Sequence, residues 1–165
     1  MVDCVRILFA LFFLSVIAPA ANLSECINLN QLSSEAKKEH KYIFLFFQKE
    51  GCGYCERMIE ESLGSVDIKS KLKKDFMSVR VNIDTQGAVL YHDFNGTKHA
   101  FAKFLQTGLY PSIAFLDENN NIIYGVIGYR RADQLSRVLD YVSSGNYKEI
   151  DFESFENGLD FEGDD

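Results

Sequence analysis

Residues 42–63, YIFLFFQKEGCGYCERMIEESL, constrain the fold most, because they predict a buried strand that is followed almost at once by a helix. The six apolar residues 42–47 are too few for a membrane span and do not alternate with polar ones. Such a run is typical of a central strand covered on both faces. Counted from Cys55, apolar residues recur at helical spacing at Met58, Ile59 and Leu63. We therefore expect Cys55 to face the core and Cys52 to lie at the helix tip.

The spacing of these two cysteines predicts redox chemistry. Residues three apart on a helical turn have Cα atoms about 5 Å apart, which is within disulfide range. Cys52 and Cys55 can therefore open and close a disulfide with little backbone movement. The N–H groups and the dipole at the helix N-terminus favour the thiolate of Cys52, which makes it an attacking nucleophile. Cys55 would then resolve the mixed disulfide.

Other uses of the cysteine pair are weaker alternatives. A structural disulfide that closes so short a loop would constrain the unfolded chain very little. A metal site would need two further ligands at fixed spacing, whereas His40, His92 and His99 are scattered. Haem attachment requires a histidine directly after the second cysteine, and this chain has Glu56 there. We predict neither a metal nor a cofactor.

The first 20 residues are typical of a secretory signal peptide. Arg6 precedes an apolar run over residues 7–17, and Ala18-Pro19-Ala20 forms a small-residue cleavage site. We expect cleavage after Ala20. An uncleaved anchor is the alternative, but the run is well short of the roughly 20 residues of a spanning helix. Export to the periplasm or beyond would place the cysteines where disulfides form and exchange.

The composition predicts one domain, over residues 30–144, and an acidic tail, over residues 145–165. The chain has 165 residues, of which 47% are hydrophobic, enough for one real core. Residues 149–165 hold eight acidic residues and no Lys or Arg, so the formal charge of −7 becomes +1 without them. No basic stripe emerges, which argues against a nucleic-acid partner. We expect the tail to be frayed, with Phe152, Phe155 and Phe161 able to anchor parts of it.

Cys26 remains without a partner once Cys4 leaves with the signal peptide. It could be a reactive or intermolecular thiol. A lone cysteine beside Ile27 and Leu29 is more often a small buried hydrophobe, and we favour that interpretation. Cys26 is therefore left out of the predicted site.

Hydrophobic periodicity and cap residues predict the elements on either side of the cysteine helix. A helix over residues 30–41, capped by Ser33 or Ser34, leads into the central strand. A second helix over residues 66–74 follows the cysteine helix, and alternating residues 79–83 predict a strand. A short strand over residues 89–94 is closed by the turn signal Asn95-Gly96.

The last third of the chain predicts a helix, a hairpin and a helix. Thr97 caps a helix that runs to about Gln106, and Gly108 ends it. Residues 112–116 and 122–127 are apolar runs separated by Asp-Glu-Asn-Asn, which predicts a β-hairpin. The final helix begins near Arg131, and its apolar stripe consists of Leu135, Val138, Leu139 and Val142.

This order of elements resembles the thioredoxin superfamily. Cys52-Gly53-Tyr54-Cys55 occupies its redox-motif position, and Tyr110-Pro111 before SIAFLD looks like its cis-proline and the strand that follows. The match covers about residues 30–144, and two motifs in register are far more specific than one CxxC. Among its branches the chain looks most like the exported, thioredoxin-related proteins of the SoxW-like and DsbC/DsbG-like kind.

The resemblance implies a single-domain α/β fold of thioredoxin-like type, with a central mixed sheet flanked by helices. It places Cys52 at the carboxyl end of the central strand, with Pro111 across the site. A cis Tyr110-Pro111 bond would turn the Tyr110 backbone towards an extended substrate segment beside the sulfur. Cys52 and Cys55 are then catalytic, and Gly53, Tyr54, Tyr110 and Pro111 contact the substrate.

The chain also departs from the family pattern. Thioredoxins proper carry Trp-Cys-Gly-Pro-Cys, whereas here Gly51 precedes Cys52 and there is no tryptophan. Many members place a buried acid six residues before the first cysteine, where this chain has Phe46. Glu50 and Glu56 flank the motif and are most simply solvated carboxylates. The short segment between the signal peptide and the first helix leaves no room for the dimerisation domain of DsbC-type isomerases.

The predicted function is that of an exported thiol:disulfide oxidoreductase, acting as a thioredoxin-like reductase on protein disulfides. Its partners would be client proteins and a membrane thiol electron donor, and a monomer is favoured. Two alternatives stay open: oxidase or isomerase activity at the same site, suggested by the Gly-Tyr dipeptide, and a peptide-binding module without enzyme activity.

Overall fold

The computed structural model describes residues 26–162, and the predicted signal peptide lies outside them. The strands are β1 Cys26–Asn28, β2 Tyr42–Gln48, β3 Phe76–Asn82, β4 Ala88–Tyr91, β5 Phe94–Thr97, β6 Ser112–Leu116 and β7 Ile122–Ile127. The α-helices are α1 Leu29–Glu39, α2 Gly53–Arg57, α3 Val66–Asp75, α4 Lys98–Phe104, α5 Ala132–Ser143 and α6 Phe152–Glu162. A π-helical turn, Met58–Ser62, continues α2, and a 3-10 turn, Asn146–Lys148, follows α5. No helix in this described part is long and apolar enough to cross a membrane.

Four strands form the central mixed sheet, in the order β3-β2-β6-β7. Strand β2 pairs in parallel with β3 and antiparallel with β6, and β6 pairs antiparallel with β7. The predicted α/β fold with a mixed sheet flanked by helices is therefore confirmed. The other three strands form a small second sheet, in the order β1-β4-β5, which the sequence did not predict as a separate sheet.

Strand β2 is buried on both faces, which explains its continuous apolar run. Ile43, Leu45 and Phe47 face one core cluster, together with residues of α1 and α4. Phe44 and Phe46 face the other cluster, with residues of the π-helical turn, α3 and α5. All five side chains are at most 2% exposed. At roughly 1.5–3 kcal/mol for each large apolar side chain buried, this strand is a main contributor to the core.

The start of α1 differs from the prediction. Asn28 caps the helix, because its Oδ1 accepts a hydrogen bond from the N–H of Gln31 at 3.0 Å. Ser33 and Ser34 lie inside the helix, where the Ser34 hydroxyl donates to the carbonyl of Asn30 at 3.0 Å. The predicted serine cap is therefore wrong, because asparagine one residue before the apolar periodicity fills that position.

The predicted turn at Asn95-Gly96 is also wrong. Both residues lie in β5, where they pair with β4, and the chain reverses at His92 and Asp93 instead. His92 adopts a left-handed conformation, with φ 48°. Its N–H donates to Oδ1 of Asn30 at 2.7 Å, and its carbonyl accepts from Nδ2 of Asn30 at 3.0 Å. A distant side chain therefore stabilises a turn whose local signal is limited to Asp93.

The elements after β5 follow the prediction more closely. The hydroxyl of Thr97 accepts the N–H of Ala100 at 3.1 Å and caps α4 as predicted. That helix ends at Phe104, and Gln106, with φ 56°, takes the left-handed conformation instead of Gly108. The bounds of β6 and β7 match the predicted hairpin, and Arg131 is the N-cap of α5. The four residues of the predicted α5 stripe are all buried: Leu135, Val138, Leu139 and Val142.

Strand β3 begins at Phe76, three residues before its predicted start at Val79, because its pairing extends along the whole of β2. Cys26 is exposed, contrary to the prediction that it is buried. The side chains of a strand alternate between its faces, and in β1 it is Ile27 that packs into the core.

The acidic tail is helical over α6, whereas the sequence predicted fraying. Phe152 and Phe155 pack against the second core cluster, and each ring centroid lies 5.2 Å from that of Tyr141. Two of the three predicted aromatic anchors are thus in place, while the side chain of Phe161 lies outside the described part. This aromatic packing buries apolar surface and stabilises the helix, which the acidic composition of the tail does not indicate.

Candidate active site

Cys52 lies where the chain leaves the central sheet and enters a helix. It is the N-cap of α2, three residues after Lys49, which follows the end of β2. Gly51 has φ +64°, a conformation that glycine adopts without steric cost, and it turns the chain into the helix. Cys52 and Cys55 form a disulfide, with their sulfurs 2.09 Å and their Cα atoms 5.2 Å apart. The spacing predicted from the motif is confirmed.

The helix N-terminus points a backbone donor at one of the two sulfurs. The N–H of Cys55 lies 3.2 Å from Sγ of Cys52, in hydrogen-bonding geometry. Both cysteines are buried, with Cys52 8% and Cys55 2% exposed. Cys55 faces the core one turn before Met58, as predicted, and Cys52 is the more accessible of the pair. Cys52 is thus the more exposed of the two cysteines, as predicted, but it is more buried than we expected for a residue at a helix tip.

Gly53 and Tyr54, between the cysteines, form an exposed surface. Tyr54 is 65% exposed, and its ring centroid lies 6.4 Å from that of Tyr129. A Cβ added at Gly53 would meet no atom within 4 Å, so the space above this residue is open. Both residues are accessible to a molecule that approaches the disulfide.

Pro111 lies at the same edge of the sheet as Cys52. It directly precedes β6, whose first residue, Ser112, pairs with Phe47 near the carboxyl end of β2. The Tyr110-Pro111 peptide bond is cis, as the resemblance implied. Tyr110 packs against the first core cluster, and its hydroxyl donates to the carbonyl of Thr107 at 3.2 Å. The register therefore brings the cysteine motif and the proline to one edge.

The loop after β7 is tied to both sides of this edge. The N–H of Gly128 donates to the carbonyl of Pro111 at 2.8 Å. The hydroxyl of Ser62, at the end of the π-helical turn, donates to the carbonyl of Arg130 at 2.6 Å. These bonds hold the loop between the proline and the cysteine helix.

Three side chains form a charged clamp on the outer face of the cysteine helix, which we call the Arg57 clamp: Arg57, Glu61 and Tyr129. Nε of Arg57 contacts both carboxylate oxygens of Glu61, at 3.0 and 2.9 Å, and its guanidinium lies 4.9 Å from the ring centroid of Tyr129. The Tyr129 hydroxyl donates to Oε2 of Glu61 at 2.6 Å. This hydrogen bond, followed by that from Arg57, lowers the pKa of Glu61. The same contact with Glu61 raises the pKa of Tyr129.

The sequence analysis missed the Arg57 clamp and Asp84, whose Oδ2 accepts the N–H of Glu50 at 2.8 Å. A signal for Asp84 was present, because β2 and β3 are parallel and residues that follow their carboxyl ends meet at one edge. Tyr129 had no such signal, since its place depends on a loop that folds back over the helix.

Many members of the thioredoxin superfamily have a buried acid six residues before the first cysteine, and this chain has no carboxylate at that position. Phe46 is fully buried there, against the second core cluster. Glu50 and Glu56 are exposed, as predicted. The three histidines lie apart on the end of α1, the β4–β5 turn and α4. In the described part of the chain, no three His, Cys, Asp or Glu residues are grouped to hold a metal ion.

Comparison with known proteins identifies the fold. The family model described as a thioredoxin-like domain matches residues 29–143. No curated protein matches the chain in sequence. A thioredoxin-fold protein from Helicobacter pylori is 23% identical, with a TM-score of 0.59 over 79% of this chain and 93% of its own. A thioredoxin from Thermus thermophilus is 17% identical, with a TM-score of 0.57 over 72% and 86%. The oxidoreductase DsbH is 19% identical, with a TM-score of 0.50 over 76% and 89%.

Proposed function

The chain belongs to the thioredoxin-like domain family, and from this premise we propose that it is a thiol:disulfide oxidoreductase that acts on protein disulfides. The observation that carries the proposal is the pair Cys52 and Cys55, bonded to each other at a helix N-terminus with the Cys55 N–H on Sγ of Cys52. A sulfur in this position is stabilised as a thiolate once the bond is reduced. The structural neighbour DsbH is itself named an oxidoreductase.

The geometry supports the following sequence of steps in the reducing direction. The Cys52 thiolate attacks one sulfur of a client disulfide, and the other client sulfur leaves as a thiolate that takes up a proton. The Cys55 thiol then gives up its proton, and its sulfur attacks Sγ of Cys52. The first client sulfur leaves, so the client gains two electrons and two protons while the cysteine pair becomes the disulfide.

The substrate-binding assignments rest on position and exposure. Gly53 and Tyr54 are open to a ligand beside the sulfurs, and Tyr110 and Pro111 lie at the same sheet edge. We assign these four residues to contacts with an extended segment of the client, whose backbone can bond to the chain that leads into β6. Because proline has no N–H, Pro111 has no backbone donor of its own, and the backbone of Tyr110 is the one that faces the client.

The direction of transfer and the place of action extend the same proposal. From the resemblance carried by the sequence motifs, we favour a reductase of the exported, SoxW-like kind, recharged by a membrane thiol electron donor. The signal peptide expected at residues 1–20 supports export. Oxidase or isomerase activity at the same cysteines, and peptide binding without redox chemistry, are the other outcomes that the experiments distinguish.

Three cysteine variants test the proposal in a dithiothreitol-coupled insulin reduction assay. Cys52→Ser is expected to abolish turnover, and Cys55→Ser is expected to accumulate a mixed disulfide with the client that a reducing agent releases. Cys26→Ser is the matched control, because Cys26 is a free, exposed cysteine in β1, away from the motif, and it should retain full activity. Turnover that persists unchanged in Cys52→Ser would remove the enzyme assignment and leave a binding module.

Redox equilibration with glutathione decides the direction. A reduction potential of about −270 mV is typical of a thioredoxin-like reductase, whereas one of about −120 mV is typical of a strong oxidant. We expect the lower value. A value close to the upper one would overturn the reductase assignment but keep the cysteine pair as the active site.

A further inference from the structure

Asp84 contacts the short segment that joins the central strand to Cys52. It lies just after β3, and its Oδ2 accepts the backbone N–H of Glu50 at 2.8 Å. Glu50 precedes Cys52 by two residues and is followed by Gly51, the left-handed residue that turns the chain into α2. A hydrogen bond to a carboxylate is roughly twice as strong as one between neutral groups. Asp84 therefore restrains the backbone directly before the first cysteine.

Asp84 is exposed, and the turn that carries it is held by further hydrogen bonds. Its N–H donates to Oδ1 of Asn82 at 3.2 Å, and the hydroxyl of Thr85 donates to the carbonyl of Asn82 at 2.9 Å. Nζ of Lys98, a lysine that is only 3% exposed, donates to the hydroxyl of Thr85 at 3.1 Å. The carboxylate thus projects from a turn fixed to β3 and α4, which is what a precise positioning contact requires.

The same carboxylate lies near the other side of the site. Burial raises the pKa of Tyr110, and the negative charge of Asp84 raises it further, which places that charge within electrostatic reach of the phenol. Asp84 thus contacts the segment before Cys52 through a hydrogen bond, and its charge acts on the phenol of the residue before Pro111. In the proposed function, these two parts of the chain flank the client beside the sulfur.

We propose that Asp84 is a positioning residue for Cys52: by accepting the Glu50 N–H, it holds the 49–51 segment so that Sγ of Cys52 stays on the Cys55 N–H. The inference deepens the proposed function, on which it rests for the role of Cys52 as the nucleophile. Asp84 does not touch the reacting sulfurs. Its contribution is the geometry that the thiolate needs, and small misplacements of a nucleophile are costly in rate.

Two substitutions separate the hydrogen bond from the charge. Asp84→Asn keeps an acceptor oxygen and removes the charge, whereas Asp84→Ala removes both. Asp93→Ala is the matched control, because Asp93 is an exposed carboxylate in the β4–β5 turn. The reduced full-length chain is treated with iodoacetamide over a range of pH, and alkylation at Cys52 is followed by peptide mass spectrometry.

The two explanations predict opposite signs. If Asp84 positions Cys52, then Asp84→Ala loosens the contact with the Cys55 N–H, and the midpoint pH of Cys52 alkylation moves upward. Loss of a nearby negative charge alone would move the midpoint downward in both variants. We expect an upward shift in Asp84→Ala, with kcat/KM for insulin reduction about tenfold lower, and values close to the unmodified chain in Asp84→Asn and Asp93→Ala.

An unchanged or lowered midpoint in Asp84→Ala would overturn the inference, and so would a loss of kcat/KM in Asp84→Asn as large as in Asp84→Ala. Urea unfolding shows whether Asp84→Ala is folded under the assay conditions, and if it is not, Asp84→Asn alone decides between acceptor and charge. Alkylation of the reduced thiol needs no client. The role of Asp84 therefore remains measurable even if insulin is not reduced and the proposed function fails.

Discussion

The hydroxyl of Tyr129 donates to Oε2 of Glu61 at 2.6 Å, and this contact fastens the loop after β7 to the helix that carries both cysteines. Arg57 completes the Arg57 clamp from the same helix, since it pairs with the Glu61 carboxylate and lies over the Tyr129 ring. The exposed Tyr54 ring packs near the Tyr129 ring, with the two centroids 6.4 Å apart. The clamp therefore supports one of the surfaces assigned to the client.

Tyr129→Phe is expected to raise the pKa of Glu61 towards its ordinary value, because the Tyr129 hydroxyl is the largest cause that lowers it. The ring remains, so the contacts with Arg57 and Tyr54 are kept. A carboxyl group with a lowered pKa contributes stability that is present above its unfolded pKa and is lost as pH falls through its folded pKa. In the variant, the free energy of unfolding should therefore fall less steeply as the pH is lowered on the acid side. Carboxyl carbon NMR titration measures the shift.

Asp133 provides the internal reference for that titration. Its pKa is lowered by the hydrogen bond from Arg131, with Nη2 to Oδ2 at 3.0 Å, and it does not contact Tyr129 through any bond of the clamp. It should titrate alike in both proteins. A Glu61 pKa that does not move in Tyr129→Phe would contradict the part assigned to the hydroxyl.

Phe46→Asp tests whether this core position can hold an acid. Phe46 is fully buried among the aromatic and aliphatic residues of the second core cluster. The variant would lose a large apolar side chain and bury an unpaired carboxylate, so we expect it to destabilise the protein by more than about 3 kcal/mol. Urea unfolding measures the change. Phe46→Leu, which keeps the site apolar, should cost clearly less, and similar losses in both variants would argue against a penalty for the buried carboxylate.

Gly64→Ala tests the end of the cysteine helix. A Cβ at this position would overlap the carbonyl oxygen of Glu60 and lie 3.3 Å from that of Ile59, and both are backbone atoms that cannot move independently of the π-helical turn. We expect a loss of about 1–3 kcal/mol in the free energy of unfolding. Gly108→Ala is the control, because a Cβ there meets nothing within 4 Å. Equal unfolding midpoints for the two variants would contradict the clash.

Elements whose signal is local were predictable, and elements held by distant contacts were not. The strands Ser112–Leu116 and Ile122–Ile127 were placed within their observed bounds, because apolar runs and an acidic turn mark them in the sequence. The turn at His92 was missed, since Asn30, 62 positions away, satisfies its backbone. Asn95-Gly96 is a stronger local turn signal, but tertiary structure overrides it.

The residues of the candidate site also divide into those with a signal in the sequence and those placed by distant contacts. The Cys52–Cys55 spacing followed from helical geometry, and the cis bond before Pro111 followed from the family resemblance. Asp84 and Tyr129 reach the site from other parts of the sheet, through contacts with the backbone of Glu50 and the side chain of Glu61. Contacts of that kind leave no periodicity in the sequence. Only Asp84 had another signal, its position after the carboxyl end of a strand parallel to β2.

Asp151 explains why an acidic tail can begin with a stable helix. It directly precedes α6, and its Oδ1 accepts the N–H of Ser154 at 2.7 Å, an N-cap contact that lowers the pKa of Asp151. The cap should hold above the unfolded pKa of Asp151 and be lost as pH falls through its folded pKa, so α6 should fray in acid while Phe152 is released from Tyr141. Amide hydrogen exchange along α6 measures this. Asp151→Asn keeps an acceptor that does not titrate and should weaken the pH dependence, whereas Asp151→Ala should show fast exchange already at neutral pH. Protection of α6 in Asp151→Ala equal to that of the unmodified chain would mean that aromatic packing alone holds the helix.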